Sequence, residues 1–421
     1  MSRNTVTGGW LDLMELTIIS ALPHYLVGDR VVGIAPVSRE IDYLADLFGE
    51  VRHIAFLHSQ PAPANTQAYE SGRVQVVPLE PSGGRGIAGK LGVLGRAPSY
   101  FRLIRAAVQQ AGLVHVRCPS SVSLEAIFLL GAARPPPPSW IKYGGDWRPS
   151  GPEPLANRVQ RMILRKGWSN SVVSVNGAWP HQPPHVHSFL NPSFSLEDAR
   201  RAIAATAGKH LESPVRLFFA GRLSPGKGAV RALRVLSTLV EREIDATLDV
   251  AGEGPEGEQL RRLIAELGLR SRVHLHGWLA PSQMRACYER AHFVLLPSRS
   301  EGWPKVLSEA MAFGAVPVAG AVSCIPEVLA HTGTGVACPP TEIGSFADAI
   351  EDLLREPARW AAYRRGGHAS AALFTYEAYV DQVRRMLGQA PKPISVAAAA
   401  GVSGSPALFV RGEPLSSLAP S

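Results

Sequence analysis

Two α/β lobes, each a parallel sheet layered with helices, with a cleft between them, are the fold class predicted here. Three observations predict it. Short apolar runs alternate with amphipathic helical stretches along nearly the whole chain, the pattern of stacked βαβ units. The rhythm occurs twice, with an interruption lacking β pattern at 191–213, after Asn191-Pro192. The chain has 421 residues and is 46% hydrophobic and 19% charged, enough apolar material for two cores and too little charge for global disorder.

In the first half, strands are expected at LTIISA (16–21), VRHIAFL (51–57), RVQVVPL (73–79), LVHVR (113–117), WIKYG (140–144) and SVVSV (171–175). Their β-branched residues and turn-rich flanks carry that reading. Helices are expected between them at SREIDYLADLF, SYFRLIRAAVQQAG and NRVQRMILRKG, with Ser99 and Gly112 as cap and stop of the middle one. The second half repeats the alternation with strands VRLFFA (215–220), ATLDVA (246–251), RVHLH (272–276), HFVLLP (292–297) and AVPVAG (315–320). Beyond about residue 345 only helices are expected. The domains are therefore drawn at 1–195, 196–388 and a low-complexity tail, 389–421, expected to be disordered.

Composition excludes several classes. No run of about 18 apolar residues is present, so no membrane-spanning helix is expected. The first 22 residues carry one Arg, then acidic residues before the apolar run, unlike a secretory leader, and a cytoplasmic location is expected. Cys118, Cys287, Cys324 and Cys338 show no C-x-x-C spacing and read as ordinary thiols. The net charge of +8 points to an anionic partner: a phosphorylated ligand, a membrane surface or nucleic acid. Nucleic acid is disfavoured, because neither an aromatic RNA-binding signature nor a helix-turn-helix pattern accompanies the charge.

Three segments carry candidate chemistry. Gly221-Arg-Leu-Ser-Pro-Gly-Lys-Gly228 follows an apolar strand and opens a helix. Such a turn offers free N–H groups and a positive dipole end to an anion, and Arg222 and Lys227 add two cations. It nearly spells an NTPase phosphate loop, but Gly228 stands where a magnesium-holding hydroxyl belongs. A phosphate site without an obligatory metal is expected; an ordinary glycine turn with surface cations is the plainer alternative. Gly252-Glu-Gly-Pro-Glu-Gly257 fits G-x-G-x-x-G, yet the next strand, RVHLHG, ends without the acid a dinucleotide fold requires. Gly252 and Gly254 then read as a close turn facing the cleft. Ser298–Met311, SRSEGWPKVLSEAM, places Glu301 just before a helix, Pro304 in its first turn and Glu309 two turns along. Both carboxylates are expected to face one cleft; a surface glutamate pair is the alternative.

Together, G-R-L-x-x-x-K-G, A-G-E-G-P and S-E-G-W-P-K-V-L-S-E-A-M-A-x-G-x-V-P-V resemble the donor lobe of retaining GT-B glycosyltransferases of family 4, over about residues 213–388. Glu301 and Glu309 match that family's E-x7-E motif. More loosely, EIDYLADLF, KYGGDW and SFLNPS resemble members from cell-surface polysaccharide pathways. The resemblance implies a GT-B fold, two Rossmann-like lobes facing a central cleft, with a nucleotide-diphosphate sugar held by the second lobe. It implies transfer with retention to a saccharide or polyprenyl-diphosphate-linked acceptor in cell-envelope or exopolysaccharide biosynthesis. No cofactor and no dedicated metal are implied, in keeping with the absence of any Asp-x-Asp triplet. By match, Arg222 and Lys227 clamp the diphosphate and Glu301 binds sugar hydroxyls. Gly221, Gly252, Gly254 and the segment Gly302, Trp303, Pro304, Lys305 and Val306 line the donor site. Glu309 holds the ribose, and Gly277-Trp278-Leu279 lies near the base. A nucleotide-sugar epimerase or a phosphorylase on the same fold accounts less well for the whole E-x7-E segment.

The first lobe departs from the family pattern. Its first turn, ALPHYLVGDRVVGIAPVSRE, has single glycines at Gly28 and Gly33, and IKYGGDW has glycine at the usual His position. Gly33 and Asp146 are the acceptor-side candidates; a helix cap or a pair with Arg148 is the alternative for Asp146. No acid separates Glu80 from Glu125, while Arg85, Lys90, Arg96, Arg102, Arg105 and Arg117 lie between them. Likewise Arg158, Arg161, Arg165 and Lys166 fall in the acid-free stretch from Glu153 to Glu197. RVQRMILRKGW is a basic amphipathic segment suited to an anionic membrane surface, or else a solvated helix face.

Overall fold

The computed structural model describes residues 11, 14–82, 87–149, 151 and 153–388, with main chain only for 87–94. The tail expected at 389–421 lies outside the described residues, as does Arg85.

The first lobe runs β1 (Glu15–Val27), β2 (Arg30–Ile34), α1 (Ala35–Ala45), β3 (Glu50–His58), β4 (Thr66–Ala68), β5 (Val74–Leu79), α2 (Ile87–Gln110), β6 (Leu113–Cys118), α3 (Ser121–Ala132), β7 (Ser139–Tyr143), α4 (Leu155–Arg165), β8 (Val172–Asn176) and β9 (Val186–Phe189). Its parallel strands lie in the order β5-β3-β1-β6-β7-β8-β9. After α5 (Leu196–Ala205) the second lobe runs β10 (Val215–Ala220), α6 (Ala229–Glu241), β11 (Ala246–Ala251), α7 (Gly257–Glu266), β12 (Val273–Gly277), α8 (Pro281–Arg290), β13 (Phe293–Leu296), α9 (Lys305–Ala312), β14 (Val316–Gly320), α10 (Ile325–Thr332), β15 (Val336–Cys338), α11 (Ile343–Arg355), α12 (Pro357–Ser370) and α13 (Tyr376–Met386). Its six strands, all parallel, are ordered β12-β11-β10-β13-β14-β15. In both sheets the first strand sits in the middle and the fourth parallel strand lies on its other side. A doubly wound sheet of this order has a crevice at its switch point, outside the carboxyl ends of the first and fourth strands.

Apolar layers cover both faces of each sheet. In the second lobe, Leu217, Phe219, Leu248 and Phe293 pack under α6 and α11, while Phe218, Val294 and Leu296 pack under α8, α9 and α10. In the first, Ile19, Val114, Val116 and Ile141 pack with α2 and α3, and Leu16, Ile18 and Trp140 pack with α1. The last helix, α13, crosses back: its Tyr379, Val380 and Val383 belong to this first-lobe core although their sequence position counts them with 196–388. The two chain crossings run side by side, with Phe194 bridged to Thr375.

Two local expectations are corrected. The turn after the first strand is a hairpin: β1 continues past an irregularity between Ile19 and Pro23 and pairs antiparallel with β2. And α2 begins at Ile87, with Pro98 inside it, so Ser99 is no cap; its hydroxyl donates back to Arg96 O at 2.8 Å.

Candidate functional site

The loop after β10 and the loop after β13 meet at the switch point of the second sheet. Ser224–Gly228 is a tight turn, with the Lys227 and Gly228 N–H groups both donating to Ser224 O, and Gly228 at φ 86° caps α6. Arg231, one turn into α6, ties this turn to the β13 loop through Pro297 O at 2.6 and 2.8 Å and Pro225 O at 3.0 Å. Arg299 N–H donates to Gly226 O at 2.9 Å. Held this way, the half-exposed Lys227 places Nζ 2.6 Å from Oε1 of buried Glu301. Arg222, five positions earlier in the same loop, is exposed and has no side-chain partner among the described residues. Of the three residues expected to do the chemistry, Lys227 and Glu301 are thus in direct contact, and Arg222 lies on the same loop as Lys227.

The glycines of the adjacent turn have a packing reason. Gly221 N–H donates to Ala251 O and Leu223 N–H to Glu253 O, so the β10 and β11 loops run edge to edge. A Cβ on Gly252 (φ 129°) would lie 2.0 Å from Gly221 O, and one on Gly254 would lie 2.3 Å from Leu223 O. Gly252 N–H reaches Gly277 O at 2.7 Å, which brings the β12 turn alongside. There Trp278 is exposed and Leu279 half-buried.

In the second segment, Pro304 stands one position before the helix, as the cap of α9, not within its first turn. Trp303 faces inward: its indole stacks on Phe374 at 5.3 Å, and Nε1 donates to Ser308 Oγ at 2.7 Å. Only its main chain is left to meet a ligand. Val306 packs against the same core. Glu309, half-buried on α9, accepts from Tyr288 OH through Oε2 at 2.6 Å. Burial raises its pKa, against the opposing pull of Tyr288 and Lys305.

Lys305 reaches across the cleft, donating to Pro36 O of α1 at 3.1 Å. It lies in the field of Glu40, a buried carboxylate that accepts from Arg117 at 2.7 Å and Lys142 at 2.6 Å. Burial alone would raise the Glu40 pKa; Arg117, Lys142 and Lys305 outweigh it and hold it well below the usual carboxylate range.

A second bridge joins the lobes where β7 and β8 end. Gly302 is so close to the first lobe that a Cβ on it would lie 2.1 Å from Gly144 O and 3.0 Å from Asn176 Nδ2. Ala178 N–H donates to Glu327 of α10 at 3.2 Å, and burial pushes that carboxyl up to about 7. Asp146, raised by burial, holds the N–H of Arg148 at 3.0 Å and also faces Ser323 of the second lobe. Asn176 is 3% exposed, yet neither of its amide atoms has a hydrogen-bond partner. Buried amides are nearly always paired, so Asn176 joins the candidate residues. The sequence signal was available: a polar residue closing the apolar strand SVVSV. Gly33 lies on β2, against Ser38 Oγ and His24 Nε2, beside the buried chain His24–Tyr69–His53–Ser20. Among the described residues no three His, Cys, Asp or Glu side chains converge on a point that could hold a metal ion.

Comparison with known proteins follows this geometry. Residues 204–368 match the family model of glycosyl transferases group 1. D-inositol 3-phosphate glycosyltransferases of Mycobacterium bovis and Mycobacterium tuberculosis are 30% identical over 252 residues, 58% of this chain and 52% of theirs. The match thus spans about half the length of these relatives. Among solved structures, sucrose-phosphate synthase from Thermosynechococcus elongatus superposes with a TM-score of 0.64 at 18% identity, covering 89% of this chain and 98% of that one. Anabaena HepE, solved with UDP and glucose, gives 0.60 at 17% identity, with 89% and 99% covered. The architecture is the two-lobe GT-B fold, as expected from the sequence.

Proposed function

We propose that this chain is a retaining glycosyltransferase of family 4, moving a sugar from a nucleoside-diphosphate sugar to a saccharide or polyprenyl-diphosphate-linked acceptor in cell-envelope or exopolysaccharide biosynthesis on the cytoplasmic side. The observation that carries it is the Lys227–Glu301 pair at the switch point, 2.6 Å apart, with exposed Arg222 on the same loop as Lys227. The group 1 match over 204–368 covers that corner. Retention rests on the E-x7-E resemblance.

The chemistry follows from charge. When the anomeric C–O bond breaks, negative charge grows on the departing diphosphate. Arg222, Lys227 and the unsatisfied first-turn N–H groups of α6 are fixed donors aimed at that charge, and preorganised donors lower the barrier. Cations in these positions do the work a metal would otherwise do, so no obligatory metal is assigned. Glu301, anchored by Lys227, is an acceptor for sugar hydroxyls. Glu309, with Oε2 fixed by Tyr288, leaves Oε1 for a ribose hydroxyl. Trp278 offers an exposed ring at the rim for the base. Asn176 and Asp146 line the acceptor side.

Calorimetric titration with UDP, GDP, ADP, NAD and ATP, each with and without magnesium, tests this reading. Metal-independent binding of one nucleoside diphosphate is expected and names the donor's base. Binding of NAD alone, or of ATP only with magnesium, overturns it. Proton NMR of the fresh product then reads the anomeric configuration, and inversion would remove the family 4 assignment.

A further inference from the structure

Behind the cleft, the first lobe holds a buried polar circuit that the proposed reaction does not use. Ile19 and Pro23 of β1 pair with Ile54 and Phe56 of β3, so β1 carries two extra residues between them. Ser20 and Leu22 lie in this bulge. Ser20 Oγ is 2.8 Å from His53 Nε2, and His53 Nδ1 is 2.9 Å from Tyr69 OH. The same hydroxyl is 2.7 Å from His24 Nε2, and His24 Nδ1 is 3.2 Å from Leu22 O. Leu22 N–H donates to Ser20 Oγ at 3.3 Å and closes the circuit. Ser20, His24 and His53 are buried, and Tyr69 is half-buried.

Chemistry gives the circuit a single direction. Leu22 O only accepts, so the hydrogen of a neutral His24 sits on Nδ1 and its Nε2 is bare. Tyr69 then donates to His24, and its oxygen is left to accept from His53 Nδ1–H. His53 Nε2 is bare in turn and takes the Ser20 hydroxyl. All five hydrogen bonds are made with both imidazoles neutral, and burial holds both below the usual histidine range. Tyr69 is the member that meets both rings.

One strand joins the circuit to the cleft. His24 pairs with Gly33 of β2, and Gly33 pairs with Gln67 of β4, two residues before Tyr69. A Cβ on Gly33 would lie 2.9 Å from His24 Nε2, so β2 rests directly on the circuit. β2 ends at Ile34, and α1 opens with Ala35 and Pro36, whose carbonyl takes Lys305. Lys305 is the first residue of α9, between Glu301 and Glu309. One turn along α1, Glu40 is held by Arg117 and Lys142. The start of α1 is thus fixed by Glu40 on one side and by the circuit on the other.

We propose that Tyr69 is a positioning residue for the cleft: its hydroxyl, joining Ser20 and His53 to His24, holds the β1 bulge and with it the Ala35–Pro36 seat of Lys305. Bulges beside functional sites commonly re-aim the chain. Here the bulge carries β1 into β2, and β2 delivers Pro36 to the segment that bears Glu301 and Glu309. Without the Tyr69 hydroxyl, a buried N–H of His53 and the bare nitrogen of His24 lose their partner, and such losses are costly. The seat can then shift, and the donor segment loses a fixed reference on the first lobe.

The test combines amide hydrogen exchange with nitrogen NMR, and neither needs activity. In protein with ¹⁵N-labelled histidine, assigned through His24→Gln and His53→Gln, both rings should be neutral with hydrogen on Nδ1 at pH 7. Hydrogen on Nε2 of either ring would overturn the circuit. Tyr69→Phe should speed exchange at Gly33, Ile34, Val37 and Ser38 and, across the cleft, at Gly302, Trp303, Lys305 and Val306. The amides of β10 and β11 should keep their rates. Faster exchange confined to the first lobe would make Tyr69 merely structural and overturn the positioning role. A kinetic arm rests on the transferase reading. Tyr69→Phe should slow release of nucleoside diphosphate from UDP-glucose, GDP-mannose or ADP-glucose about tenfold, the size of one well-placed hydrogen bond, with affinity for the diphosphate unchanged. In a Lys305→Met background the same change should add little; additive losses would mean that Tyr69 does not act through that seat. If the unaltered protein turns over none of these sugars, the transferase reading loses support, and exchange and NMR alone decide the positioning role.

Discussion

Lys227 and Glu301 stand 74 positions apart in sequence and 2.6 Å apart in space. If they and Arg222 meet a departing diphosphate, Arg222→Ala or Lys227→Ala should each lower kcat by about 10²–10³, the usual loss on removing one charge-stabilising donor. Near-normal turnover in both would sink the assignment. Asn176 makes a different prediction. Replacing a buried amide that has no partner with Leu removes its desolvation cost, so Asn176→Leu should unfold at an equal or higher temperature. Sugar transfer should nevertheless fall, because a polar contact with substrate is gone; undiminished transfer would show that Asn176 plays no part. Histidines set the acid limit. His24, His292 and His368 are each lowered to about 4 by burial. Their unfolded forms take up protons below about pH 6.5 and the folded forms do not. The histidines' share of the stability should therefore be level above pH 6.5 and be lost from there towards pH 4, three imidazoles against the opposing gain of two carboxyls, Glu125 and Glu327, that burial raises to about 7. Melting temperatures across pH 8 to 4.5 check this; a flat profile would contradict it. At this scale the motif residues were legible, because a glycine turn and two carboxylates are local patterns. Glu40, with partners at 117 and 142, was not, since the pairing depends on which strands become neighbours.

At the scale of elements, the strands that open each βαβ unit were legible from continuous apolar runs, and the pieces that modify them were not. The strand β2 exists because β1 runs on past Pro23, and a five-residue strand with Gly33 inside it carries little periodic signal. The early start of α2 was hidden by GKLGVLGRAP, whose glycines and proline read as breakers. The Ser298–Lys305 loop carries a prediction of its own. At Gly302 a methyl group would collide with Gly144 O at 2.1 Å, a backbone atom that cannot turn aside as a side chain could. Since those atoms belong to different lobes, Gly302→Ala should hold the lobes apart. Small-angle scattering should show a larger radius of gyration with little change in melting temperature. An unchanged radius with a lowered melting point would mean that the loop bends instead.

For the whole molecule, the two doubly wound sheets and their cleft were legible from the repeated rhythm, whereas the final crossing was not. Nothing in YEAYVDQVRRM distinguishes a helix that stays with its lobe from one that returns to the other. Its packing makes a clear prediction. Tyr379 packs at a tilt against Trp140 and edge to face against Phe189, with ring centroids 6.3 and 5.9 Å away, and its hydroxyl lies 3.3 Å from Lys142 Nζ. Tyr379→Ala should cost about 3–5 kcal/mol, as for other buried aromatic truncations. The loss should fall on the first lobe, read as earlier exchange of the β6 and β7 amides while those of β10 and β11 keep their protection. Equal loss in both lobes would mean that they unfold as one unit.

The return of α13 also bears on the order in which the protein can be made. Domains generally fold as units as they leave the ribosome, first part first. Here the earlier-synthesised lobe has only α1 over Leu16, Ile18 and Trp140, and the rest of their cover is missing until Tyr376–Met386 has been translated. The later lobe meets no such delay, because its two apolar layers are drawn almost entirely from residues 190–374. The segment made first is thus the last to close, and for the length of the second lobe's synthesis its apolar underside is within reach of chaperones or of other nascent chains.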